Sequence, residues 1–461
     1  MSTIEGSALE SLAGNIRGKL ITGEHRDYDQ ARRVWNGMID RRPLAIVRAA
    51  GVVDVAAVVG WARETGTELA VRGGGHSSPG FSTSEGGLVL DLSAMRGVWV
   101  DRHAKTARAQ AGALWGDVDR ETQAHGLAAP GGLISHTGIA GLTLGGGVGW
   151  LSRQHGLTID SLLSVELVTA DGRLVTASSS EHPELFWALR GGSGNFGVVV
   201  SFEYRLHDVG PLVLGGPIVY DIDDAPAVLA NVRDVVSGAP DEVALWISVT
   251  HVPPHAPFPE QRWGDLVLVV APFCTDVERG PELLAPLTSF GAPIASLHGP
   301  IPYAVLQSAL DDVDPHGNRY WEHGDYLTGL SDELIERIVA GGRAMTSPLH
   351  EILLFPMGGA IARVASDATA FGDRTAPWAV WTVGQWTDPA QDDRHRAWVR
   401  AVSRSIAPWT TGGVYVNAIG EPDEQRKLVA YGGAEKLERL RAVKREWDPE
   451  NLFRLNHNIA P

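Results

Sequence analysis

The chain has 461 residues, of which 39 are basic and 55 acidic, so its formal net charge at pH 7 is −16. This balance disfavours a nucleic-acid partner, because there is no excess of cations to displace the counterions of a phosphate backbone. The length exceeds what one hydrophobic core usually serves and predicts two or three domains. A single cysteine, Cys274, excludes an intrachain disulfide and a multi-cysteine metal site.

The first 20 residues have an early glutamate and no apolar stretch of the kind found in secretory signals. The sequence also has no run of about 18 apolar residues, the length that a membrane helix needs. We therefore expect a cytoplasmic protein without a membrane partner, acting as a monomer or homodimer.

Residues 44–76 predict a strand, a helix and a second strand that ends in three glycines. The first strand is "LAIVRA", Asp54 is placed to cap the helix, and Gly66 is placed to end it. The strand "ELAVR" then leads into "GGGH", Gly73 to His76. Three consecutive glycines are costly to order, so this turn must bring backbone close to another group and present the histidine.

Short strands and helices follow up to residue 208. "LVLDL", "GVWV" and "TARAQ" predict strands, and a helix is predicted near 114–125 with Gly126 at its end. "SVELVTADGRLVTAS" has Asp171-Gly172 between two alternating runs, which is typical of a β-hairpin. "HPELFWALRGG" predicts a helix and "FGVVVSFEYRL" a strand.

From about residue 209 the glycine clusters thin out, and longer strands alternate with longer helices, as in "EVALWISVTHV" and "DELIERIVAGG". We predict an α+β fold of two domains. The first spans residues 1–208, the second spans 209–410 with an antiparallel sheet covered by helices, and residues 411–461 return to the first domain.

Glycine-rich turns recur in "PGGLISHTGIAGLTLGGGVGWLSRQHGLTIDSL", residues 130–162. The turns at 138–141 and 145–149 offer backbone amides and no side chains to block approach, which suits the pyrophosphate of a dinucleotide. The alternative is a set of tight turns between short strands. "GSGNFG" at 192–197 fits the G-x-G-x-x-G pattern but lacks the preceding strand and following helix of a Rossmann site.

No metal site is expected. "HEILL" at 350–354 begins like a zinc-protease motif, but Leu354 stands where the second histidine ligand is required.

Several segments taken together resemble one family. "VRGGGHS", "GLTLGGGVGWLSR", "LVTADG", "FWALRGGSGNFGVV" and "DPENLFRLNHNIAP" resemble the berberine bridge enzyme family of covalent flavoprotein oxidases, which share the vanillyl-alcohol-oxidase, or PCMH, type of FAD-binding fold. The resemblance covers residues 40–208 and 410–461. It implies FAD as the cofactor, an FAD-binding domain over 1–208 completed by 411–461, and a substrate domain over 209–410.

The resemblance also implies how FAD is held. The histidine that bonds to the 8α-methyl carbon of FAD matches His76, and the cysteine that forms a second bond in many members is replaced by Ile134, so a single covalent link is implied. The other cofactor contacts implied by matching positions are Arg72, Gly73, Gly74, Gly75, Ser77, Gly132, Thr137, Gly138, Gly141, Gly145, Gly146, Gly147, Gly149, Trp150, Gly197, Val198, Tyr415 and Asn417.

Three residues are candidates for catalysis. Thr137 matches the position that governs oxygen access to the flavin, or else only shapes its turn. Glu351 matches a strand position that carries an active-site carboxylate in relatives. Burial would raise the pKa of such a carboxylate, which suits a general base. The alternative is that Glu351 is a surface glutamate at the end of a strand. Tyr326 is a candidate pocket residue or an ordinary core residue. Ala418 stands where relatives often have an aromatic residue, which excludes a tyrosine base there.

The implied activity is oxidation of a C–H or alcohol centre in a small phenolic, polyketide or sugar-like metabolite. Hydride passes to flavin N5, and dioxygen accepts the electrons and yields hydrogen peroxide. One alternative is an oxygenase acting through a flavin-N5-oxide, as among natural-product tailoring members of the family. Another is a flavin- or ligand-binding protein without turnover.

Four tryptophans on predicted strands either line an aromatic cavity or belong to the core: Trp246, Trp378, Trp381 and Trp386.

Overall fold

The N-terminal part of the chain forms two main sheets. The computed structural model describes residues 3–254, 258–421 and 423–461. The strands up to residue 208 are β1 (Lys19–Thr22), β2 (Ala45–Arg48), β3 (Leu69–Arg72), β4 (Leu88–Asp91), β5 (Val98–Asp101), β6 (Thr106–Gln110), β7 (Leu127–Ala128), β8 (Leu162–Val168), β9 (Leu174–Ser178), β10 (Val198–Arg205) and β11 (His207–Asp208). The helices are α1 (Thr3–Asn15), α2 (Tyr28–Ala31), α3 (Val52–Thr65), α4 (Trp115–Gln123), α5 (Ile139–Gly145), α6 (Ser152–His155) and α7 (Pro183–Leu189).

The first sheet has the order β1-β2-β4-β3, in which β2, β4 and β3 are parallel. Helix α3 connects β2 to β3 and buries Val55, Val58 and Val59, and Gly66 ends it in the left-handed conformation, as predicted. The expected cap at Asp54 is wrong. Helix α3 begins two residues earlier, and the Asp54 carboxylate instead accepts hydrogen bonds from the backbone nitrogens of Arg17, Gly18 and Ala50.

The second sheet has the order β5-β6-β10-β8-β9 and is antiparallel throughout. The predicted hairpin at residues 171–172 is confirmed, since it joins β8 to β9 and Gly172 has a φ of 84°. The two sheets share one apolar core with α3, α4 and α7.

The middle part of the chain has one large sheet and a separate pair of strands, β12 and β17. The strands of this part are β12 (Leu212–Gly215), β13 (Ile218–Asp221), β14 (Ala244–His251), β15 (Leu266–Phe273), β16 (Ala295–Ser296), β17 (Gly299–Pro302), β18 (Arg319–Leu327), β19 (Glu351–Pro356) and β20 (Trp378–Trp386). The helices that follow are α8 (Ala225–Gly238), α9 (Gly280–Thr288), α10 (Tyr303–Ser308), α11 (Asp332–Arg343), α12 (Ala360–Arg363), α13 (Asp392–Ile406), α14 (Glu424–Ala430) and α15 (Ala434–Trp447).

Seven antiparallel strands form this sheet in the order β16-β13-β15-β14-β19-β20-β18. Alternate side chains of each strand project to opposite faces. Helices α8, α9, α11 and α13 cover one face with a continuous apolar cluster. The other face packs on the glycine-rich segment of the N-terminal part, where Trp246 and Phe355 share a cluster with Val148 and Trp150. The sheet therefore presents one row of side chains to the glycine turns.

A buried ion pair fixes the C-terminal segment to the N-terminal part. Lys444 of α15 and Asp448 are both fully buried and lie 2.6 Å apart. The Lys444 ammonium also donates to the carbonyl oxygens of Asn195 and Phe453. Since every hydrogen of this ammonium has an acceptor, the pair ties residues 444–453 to the turn before β10.

None of the helices in the described residues is both long and apolar enough to cross a membrane.

We predict that Lys444→Met destabilises the fold by about 3–5 kcal/mol, because it leaves the Asp448 carboxylate buried without its cation. The midpoint of thermal or urea unfolding measures the effect. The matched control is Arg445→Met on the same helix, which removes only a surface pair with Glu438 and should shift the midpoint little. Equal shifts in the two variants would contradict the structural role of the buried pair.

Candidate active site

The first glycine turn, residues 73–76, follows β3 at the carboxyl ends of the parallel strands. Ligands of open α/β sheets bind at this end of the strands. Gly75 has a φ of 75°, a left-handed conformation that favours glycine. A Cβ atom on Gly74 would lie only 2.3 Å from the backbone nitrogen of Gly138. The first and second glycine-rich segments therefore touch backbone to backbone.

The imidazole of His76 stands at the end of this turn among other rings. It stacks on Trp35, with ring centroids 5.1 Å apart and ring planes inclined by 18°. Its Nε2 lies 2.8 Å from Nδ1 of His136, and it meets the ring of His316 edge-on. Burial, and then the two histidines, hold the pKa of His76 well below its usual range. His76 is therefore neutral at pH 7.

The three histidines form a cluster that the sequence pattern did not predict. Ligand nitrogens of His76, His136 and His316 all lie within 4.8 Å of one another, which is a donor set able to hold a metal ion. They are far apart in the chain and follow no ligand spacing, so sequence alone gave no signal beyond the histidine in "SHTG".

Tyr415 and Asn417 bring the C-terminal segment to the second glycine-rich turn. The backbone nitrogen of Gly147 donates to the Tyr415 hydroxyl at 2.9 Å, and the Asn417 amide donates to the same oxygen at 2.8 Å. A Cβ on Gly145 would lie 2.2 Å from Oδ1 of Asn417. Gly146 and Gly147 have φ values of 131° and 79°. The structure thus assembles these five predicted residues in one place.

The backbone of Gly141 is open to approach, because a Cβ atom at this position would have no neighbouring atom of the described residues within 4 Å. Thr137 is half-buried between His136 and Gly138, and its carbonyl oxygen accepts a hydrogen bond from the backbone nitrogen of Trp115. Ser77 accepts a hydrogen bond from the backbone nitrogen of Phe81 through its hydroxyl. These residues line or hold the turns.

Four further predicted cofactor contacts, Gly132, Gly149, Gly197 and Val198, pack against other parts of the chain. Gly149 packs against the carbonyl oxygen of Gly131, and a Cβ on Gly132 would lie 2.6 Å from Leu142. Gly197 directly precedes β10, and the side chain of Val198 lies in the core of the N-terminal part.

One row of the large sheet carries two glutamates. Glu351 on β19 and Glu322 on β18 are both register partners of Val383 on β20, so all three side chains share a face. Burial raises the pKa of each glutamate to about 7, opposed by the hydroxyl of Ser248 at Glu351 and of Ser78 at Glu322. Since Ser78 lies two residues beyond His76, this face meets the first glycine turn.

A third carboxyl group, Asp314, belongs to the same cluster. Burial, followed by the charges of Glu322 and Glu351, raises its pKa well above the usual range. Among the described residues, no cation is a cause of the pKa shift of any of the three. The site therefore contains acidic groups without a cation beside them, an environment that raises the pKa of a carboxyl group.

Aromatic side chains flank the glutamates. Trp246 stacks on Phe355 at 4.6 Å, and Trp381 stacks on Tyr415 at 5.9 Å. Trp378 and Trp386 are at even positions of β20 and so lie on the face that the helices cover. Only two of the four tryptophans considered in the sequence analysis thus face the glycine turns.

Tyr326 shares the face of Glu322 on β18 and is almost fully buried. Its hydroxyl has no hydrogen-bond partner among the described residues, and burial and the neighbouring Tyr415 raise its pKa far above the usual range. Glu322, Asp314 and Trp35 were not predicted. The alternation of side chains along the strand "RYWEHGDYL" places Tyr320, Glu322 and Tyr326 on one face. It does not indicate which face of the strand lines the site.

A cavity of about 360 Å³ borders Gly73 and Gly74. Positive charge predominates in its lining, since four arginines and two aspartates contribute: Arg33, Arg48, Arg72, Arg96, Asp27 and Asp91. This side of the turn suits an anionic group such as a pyrophosphate.

The residues present fit FAD. Three buried side-chain nitrogens near the glycine turns lack a partner among the described residues: Nη2 of Arg72, Nε2 of His136 and Nε1 of Trp150. Phosphate oxygens, ribityl hydroxyls and ring heteroatoms supply acceptors for such donors, and turns without side chains admit them.

Family comparisons identify two regions of the chain. Residues 43–178 match an FAD binding domain, and residues 414–460 match a berberine and berberine-like domain. The chain is 32% identical over 456 residues to an FAD-linked oxidoreductase of Dictyostelium discoideum, which covers 97% of this chain and 95% of the relative.

Solved structures agree with this assignment. The crystal structure of 6-hydroxy-D-nicotine oxidase from Arthrobacter nicotinovorans superposes with a TM-score of 0.87 at 28% identity, covering 97% of this chain and 98% of the other. A berberine bridge enzyme-like protein of Physcomitrella patens gives 0.86 at 25% identity, with 97% of both chains covered. The predicted α+β FAD-binding fold is confirmed. The chain belongs to the berberine bridge enzyme-like family of FAD-linked oxidoreductases and is an FAD-binding enzyme.

Proposed function

We propose that this enzyme is an oxidase with a single covalent FAD link at His76, acting on a C–H or alcohol centre of a small organic metabolite. The observation that carries the proposal is the placement of Glu351 and Glu322, both half-buried, against the turn that ends in neutral His76. FAD, when bound, accepts a hydride from the substrate and passes two electrons to dioxygen, giving hydrogen peroxide. Residues 1–208 and 411–461 would hold FAD, and residues 209–410 the substrate.

Two features support a single link at His76. A nucleophile needs a lone pair, and a neutral imidazole keeps one. Ile134 occupies the position of the second link in doubly linked family members. Cys274 is fully buried beside Leu214 and Gly280 in the middle part, so it offers no accessible thiol.

Glu351 is the proposed general base. A carboxyl group with a pKa of about 7 is deprotonated in a large fraction of molecules at neutral pH and is still basic enough to take a proton from a hydroxyl or an activated C–H group. Glu322 shares its environment and is proposed as a second pocket carboxylate. Thr137, a small residue beside Gly138, is proposed to leave access for dioxygen.

The aromatic side chains around the glutamates favour a flat substrate. Trp246, Phe355, Trp381 and Tyr415 present ring faces and edges next to the carboxyl row. Ala418 packs on Gly324 and adds no ring of its own. The superposed 6-hydroxy-D-nicotine oxidase, by its name, also oxidises a ring-containing molecule.

We predict that acid precipitation leaves the yellow flavin in the pellet of the native enzyme and releases it from the His76→Ala variant. Absorbance of pellet and supernatant measures the link directly and needs no substrate. His316→Ala is the matched control, since His316 belongs to the same cluster and should leave the flavin in the pellet. Flavin in the supernatant of the native enzyme would contradict the covalent link.

We predict that turnover consumes dioxygen and yields an equal amount of hydrogen peroxide. A panel of phenols, polyketide fragments, alcohols and oligosaccharides is screened by oxygen uptake, and peroxide is then quantified for each active compound. Oxygen uptake without peroxide, together with an added oxygen atom in the product mass, would identify an oxygenase instead.

We predict that flavin reduction by substrate accelerates as pH rises through about 7, because Glu351 acts as a base only after losing its proton. Glu351→Gln should slow reduction by about 10²–10⁴-fold and abolish this pH dependence. Anaerobic stopped-flow absorbance over pH 5–9 measures both. Glu322→Gln is the control that should keep the pH dependence, and the opposite result in the two variants would transfer the role of base to Glu322.

A further inference from the structure

His76 and His136 are joined by a hydrogen bond whose direction matters. Their Nε2 and Nδ1 atoms lie 2.8 Å apart, so one nitrogen carries the hydrogen and the other accepts it. In its neutral form His76 has one N–H and one lone pair. If its Nε2 carries the hydrogen, the lone pair is on Nδ1, which bonds to no described residue.

We propose that His136 prepares His76 for attachment to FAD. By accepting the Nε2 hydrogen of His76 at its own Nδ1, His136 selects the tautomer that has its lone pair on Nδ1, and it then takes up that hydrogen when the bond forms. The inference rests on the proposed covalent link and adds a second residue on which attachment depends.

Trp35 stacks on the face of the His76 ring. Trp35 lies between two rings, since it also stacks on Tyr320 with centroids 3.8 Å apart. Its backbone nitrogen donates to the carbonyl oxygen of Gly75, and its indole nitrogen donates to the carbonyl oxygen of Asp314. Rotation of His76 away from His136 would break this stack.

The position of His136 is fixed by its neighbour in the chain. The backbone nitrogen and the hydroxyl of Ser135 both donate to the carboxylate of Asp311, at 2.8 and 2.5 Å. The carbonyl oxygen of Ser135 accepts from Gly116 in the first turn of α4. Both imidazoles are thus held in place before any ligand reacts, which is the condition for an efficient proton transfer.

The attachment step balances with dioxygen as the oxidant. A C–N bond forms between Nδ1 of His76 and the 8α carbon of FAD, and one C–H bond of the 8α methyl group breaks. The methyl hydrogen leaves as a proton, and its two bonding electrons reduce the flavin. The Nε2 hydrogen of His76 passes to Nδ1 of His136. Dioxygen then takes the two electrons and two protons and becomes hydrogen peroxide.

His136 is able to lose a hydrogen as well as gain one. Its Nε2 is buried and has no hydrogen-bond partner among the described residues. Release of the Nε2 hydrogen, after uptake at Nδ1, supplies the second of the two protons that dioxygen takes up on its reduction to hydrogen peroxide and returns His136 to the neutral state. The net result is the transfer of one proton away from His76.

The test follows the rate of attachment in the full chain. Native protein and variants are produced under riboflavin limitation, loaded with FAD in air, and freed of unbound flavin by gel filtration. The acid-stable fraction of the bound FAD is measured over time, so that a variant that binds less FAD or folds poorly is still compared per bound FAD. We expect His136→Ala to slow attachment by about 10²-fold.

Two further variants separate this role from simple packing. His136→Asn places an amide oxygen where Nδ1 stood, so it still accepts the hydrogen bond but cannot take up the hydrogen, and its rate should fall between those of the native enzyme and His136→Ala. His316→Ala removes a ring of the same cluster that has no hydrogen bond to His76, and its rate should equal that of the native enzyme.

Each other outcome overturns the proposal. If His136→Ala attached FAD at the native rate, His76 would need no hydrogen-bond acceptor. If His136→Ala and His316→Ala slowed attachment equally, the effect would come from the packing of the rings and not from the hydrogen bond. Loss of attachment in His76→Ala but not in His136→Ala would leave the proposed function intact and remove only the role of His136. Acid-labile flavin in the native enzyme would overturn the covalent link itself.

Discussion

The site depends on the direct contact between the two glycine-rich segments. A Cβ on Gly74 would lie 2.3 Å from the backbone nitrogen of Gly138, and a Cβ on Gly138 would lie 2.3 Å from the backbone nitrogen of Gly74. Neither position has room for a methyl group. Each ordered glycine costs up to about 1 kcal/mol of conformational entropy, so the contact must be compensated elsewhere. What the contact provides is position: with the turns apart, His76 and His136, 60 residues apart in the chain, would not meet at hydrogen-bond distance.

The two faces of the large sheet differ in polarity. One face is covered by helices and is apolar, while the other carries Glu322 and Glu351 into a buried space without a described cation partner. Burying an unpaired carboxylate is so costly that the group shifts its pKa and becomes neutral instead. The pKa values of about 7 are therefore a direct consequence of the packing of this face. A purely structural sheet would place apolar residues there, so these glutamates are best explained by chemistry.

Local patterns in the sequence predicted the local structure well. Strand β3, helix α3, the hairpin at residues 171–172 and the α+β character all follow from periodicity and turn residues. The choice between equivalent faces could not be predicted this way. Trp381 and Trp378 lie in one strand, yet only Trp381 faces the glycine turns, and nothing local distinguishes them. Glu322, Trp35 and His136 were missed for the same reason, because their neighbours come from distant segments. Asp54 has the composition of a cap but serves a long-range contact with residues 17 and 18.

The segment of Trp35 and Asn36 shows how far the site depends on tertiary structure. The Asn36 amide donates to the carbonyl oxygens of Ser78 and Tyr320, and its oxygen accepts from the backbone nitrogen of Tyr320. One side chain thus connects the turn of His76 with strand β18 of the middle part. Trp35 makes the same connection through its stacks on His76 and Tyr320. The neighbours of His76 therefore come from three segments that are distant in sequence, and its imidazole is held only once both parts of the chain have folded against each other. This arrangement makes chemistry at His76 a late event, which follows the assembly of the site.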